Sequence, residues 1–426
     1  MIKDSFAKTP PMGWNSWDCY GAAVNEEQLL GNARYMRDKL KEFGWEYVVC
    51  DIQWYEPLAE SHEYHPFTDL CMDEYSRLIP AENRFPSSAG GKGFKPIADE
   101  IHAMGLKFGI HIMRGIPRQA VCRNTKILGS DKTARQVAQS YSVCPWNTDM
   151  YGVDTKKDGA QAYYDSLFAL YASWGVDFVK VDDIANTEFK PAAPYSARLE
   201  IEAIRAAIDK CGRQIVLSLS PGPAPISEAW HLKRNANMWR MSGDFWDNWD
   251  ALKNMFSLCE RWALVGESGA WPDCDMLPLG RLTLVENGGR QTNFTKAEQR
   301  TMMNLWGIFR SPLMIGCEMR RNDDWTYSLL TNRDMICVNQ HGGRAELVRN
   351  TAEESVWLSR TDNGRVYAAL FNLSDEKRRV SLSLSDLPKT GWKEAWGDES
   401  FKVAEDALTA ELEAHGSVLL FAIPAR

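Results

Sequence analysis

Acidic side chains carry the chemistry this chain is equipped for. Asp51, Asp182 with Asp183, Asp244, and Asp273 with Asp275 each stand at or just past the end of a short apolar run. Two carboxyl groups facing one cleft suit glycoside hydrolysis: one donates a proton to the leaving oxygen while the other, ionised, attacks carbon or activates water. The competing reading is that strand-end Asp residues merely cap the helices that follow. Lys180-Val-Asp182 sharpens the case, because alternate residues on a strand share a face and an ammonium beside a carboxylate favours the ionised form that a nucleophile needs. A structural ion pair is the alternative there. Trp239-Arg240-Met-Ser-Gly-Asp244 ends in a Ser-Gly turn able to project Asp244 into a cleft, where Phe245 and Trp246 are expected to raise its pKa as a general acid requires. Capping of a helix from Trp249 to Cys259 is equally open for Asp244.

Other chemistries are poorly served. His62-Glu-Tyr-His65 is not an HExxH pair, and the seven His show no convergent spacing, so no metal is expected and these two read as solvated loop residues. Gly90-Gly-Lys-Gly93 follows no clear strand and reads as a turn rather than a phosphate loop. Ser218-Leu-Ser-Pro-Gly222 lacks the first glycine of a nucleophile elbow, and no organic cofactor is expected either. Acidic residues outnumber basic ones, 57 against 49, for a net charge of −8, which argues against a nucleic-acid partner. Mean hydropathy is −0.39, and no apolar run approaches the ~20 residues of a membrane span. Ten Cys without a CxxC pair read as small buried hydrophobes in a reducing compartment. Met1 to Lys8 lacks a basic start followed by an apolar stretch, so a cytoplasmic location is the expectation.

The elements that must position these groups follow from periodicity. Tyr47 to Trp54, Lys107 to Met113, Phe178 to Asp182 and Ile215 to Ser220 are mostly apolar, as parallel strands buried on both faces should be. Weaker strands are expected at Met12 to Trp17, Ala236 to Ser242, Leu264 to Gly266 and Pro312 to Cys317. Helices lie between them: one capped by Asn25 with Gln28, one carrying Tyr163 to Trp174 and stopped by Gly175, and one opened by the capping box Thr295-Lys-Ala-Glu298. With near eight such units and a chain of 426 residues, the expectation is an α/β (β/α)8 TIM barrel over residues 1–340, where catalytic groups sit at the C-terminal strand ends. Short alternating strands past His341-Gly-Gly-Arg344 predict an antiparallel β-sandwich over residues 341–426.

Thr9-Pro-Pro-Met-Gly-Trp-Asn-Ser-Trp17, Lys180-Val-Asp182, Trp239-Arg240 with Asp244, and Trp271-Pro-Asp-Cys-Asp-Met276 occur in an order that resembles glycoside hydrolase family 27, the α-galactosidase and α-N-acetylgalactosaminidase family. The resemblance implies hydrolysis of α-glycosides with retention of configuration. It implies Asp182 as nucleophile and Asp244 as acid/base, with Trp17 a wall of the sugar pocket. Asp51 and Lys180 would bind sugar hydroxyls, Arg240 would lie near the 2-substituent, and Asp275 with Met276 would line the pocket. Trp239, inside the same motif, is a further aromatic face suited to a sugar.

Departures from the family pattern bear on the substrate. Ile52 follows Asp51 where α-galactosidases carry a second Asp, so a grip on the galactose 4- and 6-hydroxyls is missing. His111 stands where Tyr is usual and is expected to replace part of that grip. Ser220 stands where many members have Glu, which leaves room for a larger 2-substituent. Ile184 replaces a Cys, so the disulfide usual there cannot form. The expected substrate is therefore an α-galactoside, with an α-N-acetylgalactosaminide, a related α-glycoside or a β-L-arabinopyranoside as alternatives. A non-catalytic carbohydrate-binding barrel is the alternative of another class, and a homo-oligomer is compatible with the chain.

Overall fold

The structure is a computed structural model that describes residues 3–362, 364–397, 401–404 and 406–422. Eight parallel strands form its centre: β1 (Met12–Asn15), β2 (Tyr47–Cys50), β3 (Lys107–Met113), β4 (Phe178–Asp182), β5 (Val216–Leu219), β6 (Met238–Arg240), β7 (Trp271–Asp273) and β8 (Leu313–Ile315). They are hydrogen-bonded in the order β7-β6-β5-β4-β3-β2-β1-β8. Just beyond β7, Leu277 bridges to Ile315 and donates its N–H to the Met314 carbonyl at 2.8 Å, drawing the two edges together. This is the expected (β/α)8 barrel.

The strands read as unbroken apolar runs because both of their faces are covered. Tyr47, Val49, Phe178, Val216, Met238 and Trp271 fill the barrel interior, while Val48, Ile110, Val179, Val181 and Leu217 pack outward against the helices. The seventh strand lies at Trp271–Asp273 and not at Leu264 to Gly266, which form the turn after the helix Trp249–Trp262 and leave Leu264 74% exposed. Pro272 hides that strand from a propensity reading, yet it costs no ladder bond to β6. The links to β6 come from the Trp271 N–H, bound to the Asn237 carbonyl, and from the Asp273 carbonyl, bound by Met241 N–H.

Local chemistry sets the helix boundaries as expected. Asn25 with Gln28 and Thr295 with Glu298 both form reciprocal capping boxes. Gly175 ends the helix Ala160–Trp174 in a left-handed conformation, φ 88°. In Gly90-Gly-Lys-Gly93, a Cβ on Gly93 would fall 2.1 Å from Trp174 Nε1, so this turn is shaped by packing against that indole.

The last barrel helix ends at His341, and the first strand of the second unit is β9 (Glu346–Asn350). With β10 (Glu354–Arg360), β11 (Val366–Asn372) and β12 (Ser417–Ala422) it forms most of one sheet of a sandwich. Strand alternation divides the work of these strands. Val356, Leu358, Ala368, Leu370, Val418 and Leu420 build the sandwich core, while Trp357, Tyr367, Ala369, Phe371 and Leu419 join the barrel's outer core. Phe371 meets Phe256 of the barrel at 4.9 Å between ring centres. The ten Cys are all free thiols, and Ile184 is buried in the core. Among the described residues, no helix is long and apolar enough to cross a membrane.

Candidate active site

The C-terminal ends of β1, β2, β4, β6 and β7 meet around a cleft of about 310 Å³, lined among others by Trp17, Asp51, Lys180, Asp182, Arg240 and Asp244. The strand period turns Lys180 and Asp182 to the same side, and β4 lies in register with β3 so that His111 is opposite Lys180. Lys180 Nζ donates to Asp51 Oδ2 at 3.0 Å and stands 3.9 Å from Asp182 Oδ2. Asn15 Nδ2 donates to the same Asp51 oxygen at 2.6 Å. His111 Nε2 meets Asp182 Oδ2 at 3.0 Å.

These contacts decide the charge states. Burial by itself would raise the Asp182 pKa, but the His111 hydrogen bond and the charges of Lys180 and Arg240 outweigh it and hold the carboxyl well below the usual range. Asp51 follows the same balance, with burial opposed first by Lys180 and then by His111 and Asn15. Lys180 is also buried, which disfavours its charge, yet Asp51 and Asp182 raise its pKa above the ordinary value. Asp182 is therefore an ionised, desolvated carboxylate, as a nucleophile must be.

The main chain around it is clamped from behind. Arg114 donates its own N–H to the Asp182 carbonyl at 3.0 Å and its Nε to the Asp183 carbonyl at 2.7 Å, and its guanidinium binds the Asp183 carboxylate at 2.6 Å and Glu200 at 2.8 Å. Asp183, with φ 54°, is thus turned onto Arg114 and away from the cleft.

Asp244 leaves β6 through the expected Ser-Gly turn. Its side chain is 61% exposed and lies 3.3 Å from the Arg240 guanidinium, which also holds Asp275 at 2.7 Å. Helix capping is not its task, because Asn248 caps the helix that starts at Trp249. Phe245 and Trp246 both line the cleft beside Asp244, and Phe245 also packs against Phe294 and Trp306. Burial raises the Asp275 pKa to about 6 against the pull of Arg240, with Asp244 adding to the rise. Asp275 also accepts the Phe245 N–H at 2.8 Å, so it fastens both Arg240 and the loop that carries Asp244.

Three residues singled out in the sequence do not line the cleft. His111 is fully buried and holds its Nε2 on the Asp182 carboxylate at 3.0 Å. Ser220 is buried and lines, with Ser218 and Asp273, a small cavity that shares Lys180, Arg240 and Asp275 with the cleft, while Pro221 and Gly222 present that loop to the cleft itself. A Cβ on Gly222 would come within 2.2 Å of the Ser242 carbonyl oxygen, which is why the loop can pass so close to the β6 turn. Trp239 points out of the barrel onto Trp262, because its strand neighbour Arg240 takes the inward face.

Other residues of the site carried no sequence signal. Tyr64 stacks on Trp17 at 5.8 Å, and Trp146 lies against Tyr64 at 5.9 Å. His62, expected to be solvated, sits between Trp17 and Trp246 with its ring on Glu286. Asp18, next to Trp17, also lines the cleft. Tyr64 and His62 come from the long loop after β2 and Trp146 from the segment between β3 and β4, where no strand end marks them. Among the described residues, no group of three His, Cys, Asp or Glu side chains could hold a metal ion.

Comparison with known proteins gives a consistent picture. Residues 155–341 match the family model described as alpha galactosidase A, and residues 351–422 match the alpha galactosidase C-terminal β-sandwich domain. An α-galactosidase from Cyamopsis tetragonoloba is 26% identical over 100% of this chain and 88% of its own length. The crystal structure of a family 27 β-L-arabinopyranosidase from Geobacillus stearothermophilus is 56% identical, covers 99% of this chain and 98% of its own, and superposes with a TM-score of 0.96. A variant of that enzyme in complex with arabinose matches equally, TM-score 0.96 over 100% of both chains. A Bacillus halodurans protein named provisionally as an α-N-acetylgalactosaminidase is 52% identical over 98% of this chain and 97% of its own, with a TM-score of 0.87.

Proposed function

The chain belongs to glycoside hydrolase family 27 and is a glycosidase, and we propose that within this family it is a retaining β-L-arabinopyranosidase with Asp182 as nucleophile and Asp244 as acid/base. The observation that carries the choice of sugar is Ile52, a buried side chain in the cleft wall directly after Asp51. β-L-Arabinopyranose has the ring configuration of α-D-galactopyranose but carries a hydrogen where galactose carries its hydroxymethyl group. A galactoside would bring a hydroxyl against an alkyl group that accepts no hydrogen bond, at a cost of about 1–3 kcal/mol. An arabinopyranoside brings only a methylene. The similarity to an enzyme named for this activity points the same way. Ser220, the residue that favoured an N-acetylgalactosaminide, does not line the cleft and lends that reading no support.

The steps follow from the charges. Lys180 and Asp51 bind ring hydroxyls as a linked cation and anion, and Trp17 supplies an apolar wall for the C–H face of the sugar. Asp182, ionised and held by His111, attacks the anomeric carbon while Asp244 gives its proton to the departing oxygen. Asp244 then takes a proton from the water that cleaves the glycosyl-enzyme, regenerating both carboxyl groups. The open position of Asp244 suits exchange of leaving group for water.

The test is kcat/KM for 4-nitrophenyl β-L-arabinopyranoside, α-D-galactopyranoside, α-N-acetyl-D-galactosaminide and α-D-glucopyranoside, with the natural protein and Asp182→Asn. The arabinopyranoside should lead the galactoside by about 10-fold or more, the scale of one substituent in an apolar pocket. A leading galactoside would overturn the choice of sugar, and full activity in Asp182→Asn would overturn the nucleophile.

A further inference from the structure

Asp18 follows Trp17 in the one-turn helix Trp17–Tyr20 after β1 and stands in the cleft wall, yet it is only 3% exposed. Every other buried carboxylate of the cleft has a protein partner: Asp51 has Lys180 and Asn15, Asp182 has His111, and Asp275 has Arg240. Among the described residues the Asp18 carboxyl has no hydrogen-bond partner, and Oδ2 is shut away from solvent. A buried polar group without a partner is costly, about 1–3 kcal/mol. The fold nevertheless makes room for it. Gly316, just beyond β8, has no side chain, and a Cβ there would lie 2.0 Å from Asp18 Oδ2. The backbone of Asp18 is pinned as well, its carbonyl accepting the Thr283 N–H at 2.8 Å.

We propose that Asp18 is a substrate-binding residue of the sugar subsite, whose carboxyl group finds its missing hydrogen-bond partners in hydroxyl groups of the bound pyranose. The inference rests on the glycosidase reading of the cleft and deepens it. Asp18 adjoins Trp17 in the chain and lines the same cleft as Asp182, Asp275 and Met276, and Asp275 is the charge that acts on it most strongly. Burial raises the pKa of Asp18 well above the carboxylate range; Asp275, Asp244 and Asp51 add to the rise and Lys180 opposes it. A carboxyl accepts hydrogen bonds from sugar hydroxyls, and one whose pKa is raised is also the readier to donate.

The experiment is a cycle between the protein and the substrate. The natural protein, Asp18→Ala and Asp18→Leu are assayed on an aryl glycoside and on its 2-, 3- and 4-monodeoxy analogues, using whichever glycone the natural protein prefers. The aryl leaving group has no hydroxyl, so an effect cannot come from the aglycone. Both variants should lower kcat/KM about 10-fold or more on the parent sugar. At one ring position the deoxygenation penalty of the natural protein should fall to within about 2-fold of unity in the variants, intrinsic electronic effects cancelling in the ratio. Leucine fills the space, so it reads out the contact even where alanine fails to fold. Unchanged penalties at all positions would overturn the proposal. A preference for galactosides would change the glycone of the assay and the function proposed above, but not the outcome of this cycle.

Discussion

Ile52→Asp is the substitution that bears most directly on substrate choice. It places a carboxylate where the cleft wall is now alkyl, with the Ile52 N–H already bound to Asp51 Oδ1 at 2.9 Å. For a galactoside the gain is a charged acceptor for the C6 hydroxyl, about 1.5–3 kcal/mol, or roughly 10- to 150-fold in kcat/KM. For an arabinopyranoside there is no such gain, only a loss of apolar contact and a new negative charge beside Asp51. Two unit charges about 5 Å apart repel by about 3 kcal/mol at an effective dielectric near 20, and Lys180, 3.0 Å from Asp51, offsets part of this. A net cost of about 1–1.5 kcal/mol predicts a fall of about 10-fold on the arabinopyranoside. The ratio of the two kcat/KM values should therefore move toward the galactoside by about 100-fold or more. The assay is initial-rate kinetics on the paired 4-nitrophenyl glycosides, with thermal unfolding to confirm an intact fold. A ratio within about 3-fold of that of the natural protein, in a folded variant, would refute the claim that Ile52 sets the preference.

Other outcomes follow from the charge network. Lys180→Met leaves Asp51 and Asp182 buried without their shared cation, so thermal or denaturant unfolding should show a loss of about 3–5 kcal/mol and activity should fall by at least about 1000-fold; a near-neutral result would mean that Asn15 and His111 suffice to hold both anions. Asp275 is needed in its ionised form to hold Arg240, and its pKa is raised to about 6, so it gains a proton as pH falls through that value. The kcat/KM profile should accordingly decline on its acid side near pH 6, and Asp275→Asn should abolish that limb along with most of the activity. Asp182, held well below the usual range, stays ionised throughout this window and contributes nothing to the limb.

What the sequence disclosed divides by the distance over which its signals act. The capping boxes at Asn25 and Thr295 are contained within three residues, and both helices start where those pairs place them. The common face of Lys180 and Asp182 follows from strand period alone. Trp239 failed because being in a motif does not say which face a residue takes; Arg240 occupies the inward face, so its neighbour must point outward. For Ser220 and His111 a likeness in sequence does not say how far a side chain reaches along its strand, and neither lines the cleft. Tyr64 and His62 arrive on one irregular loop and Trp146 on another, whose paths depend on contacts across the cleft, and Asp18 differs from any surface Asp only by the space that the distant Gly316 leaves.

The assignment of Asp182 as nucleophile can be read directly from the protein. The enzyme is inactivated with a 2-deoxy-2-fluoro glycosyl fluoride of its preferred sugar, digested, and mapped by mass spectrometry. One covalent glycosyl adduct is expected, on the peptide carrying Asp182 and on that side chain, with turnover restored as the adduct is slowly hydrolysed. An adduct on Asp244 or Asp275, or no adduct together with a first product of inverted anomeric configuration, would contradict it.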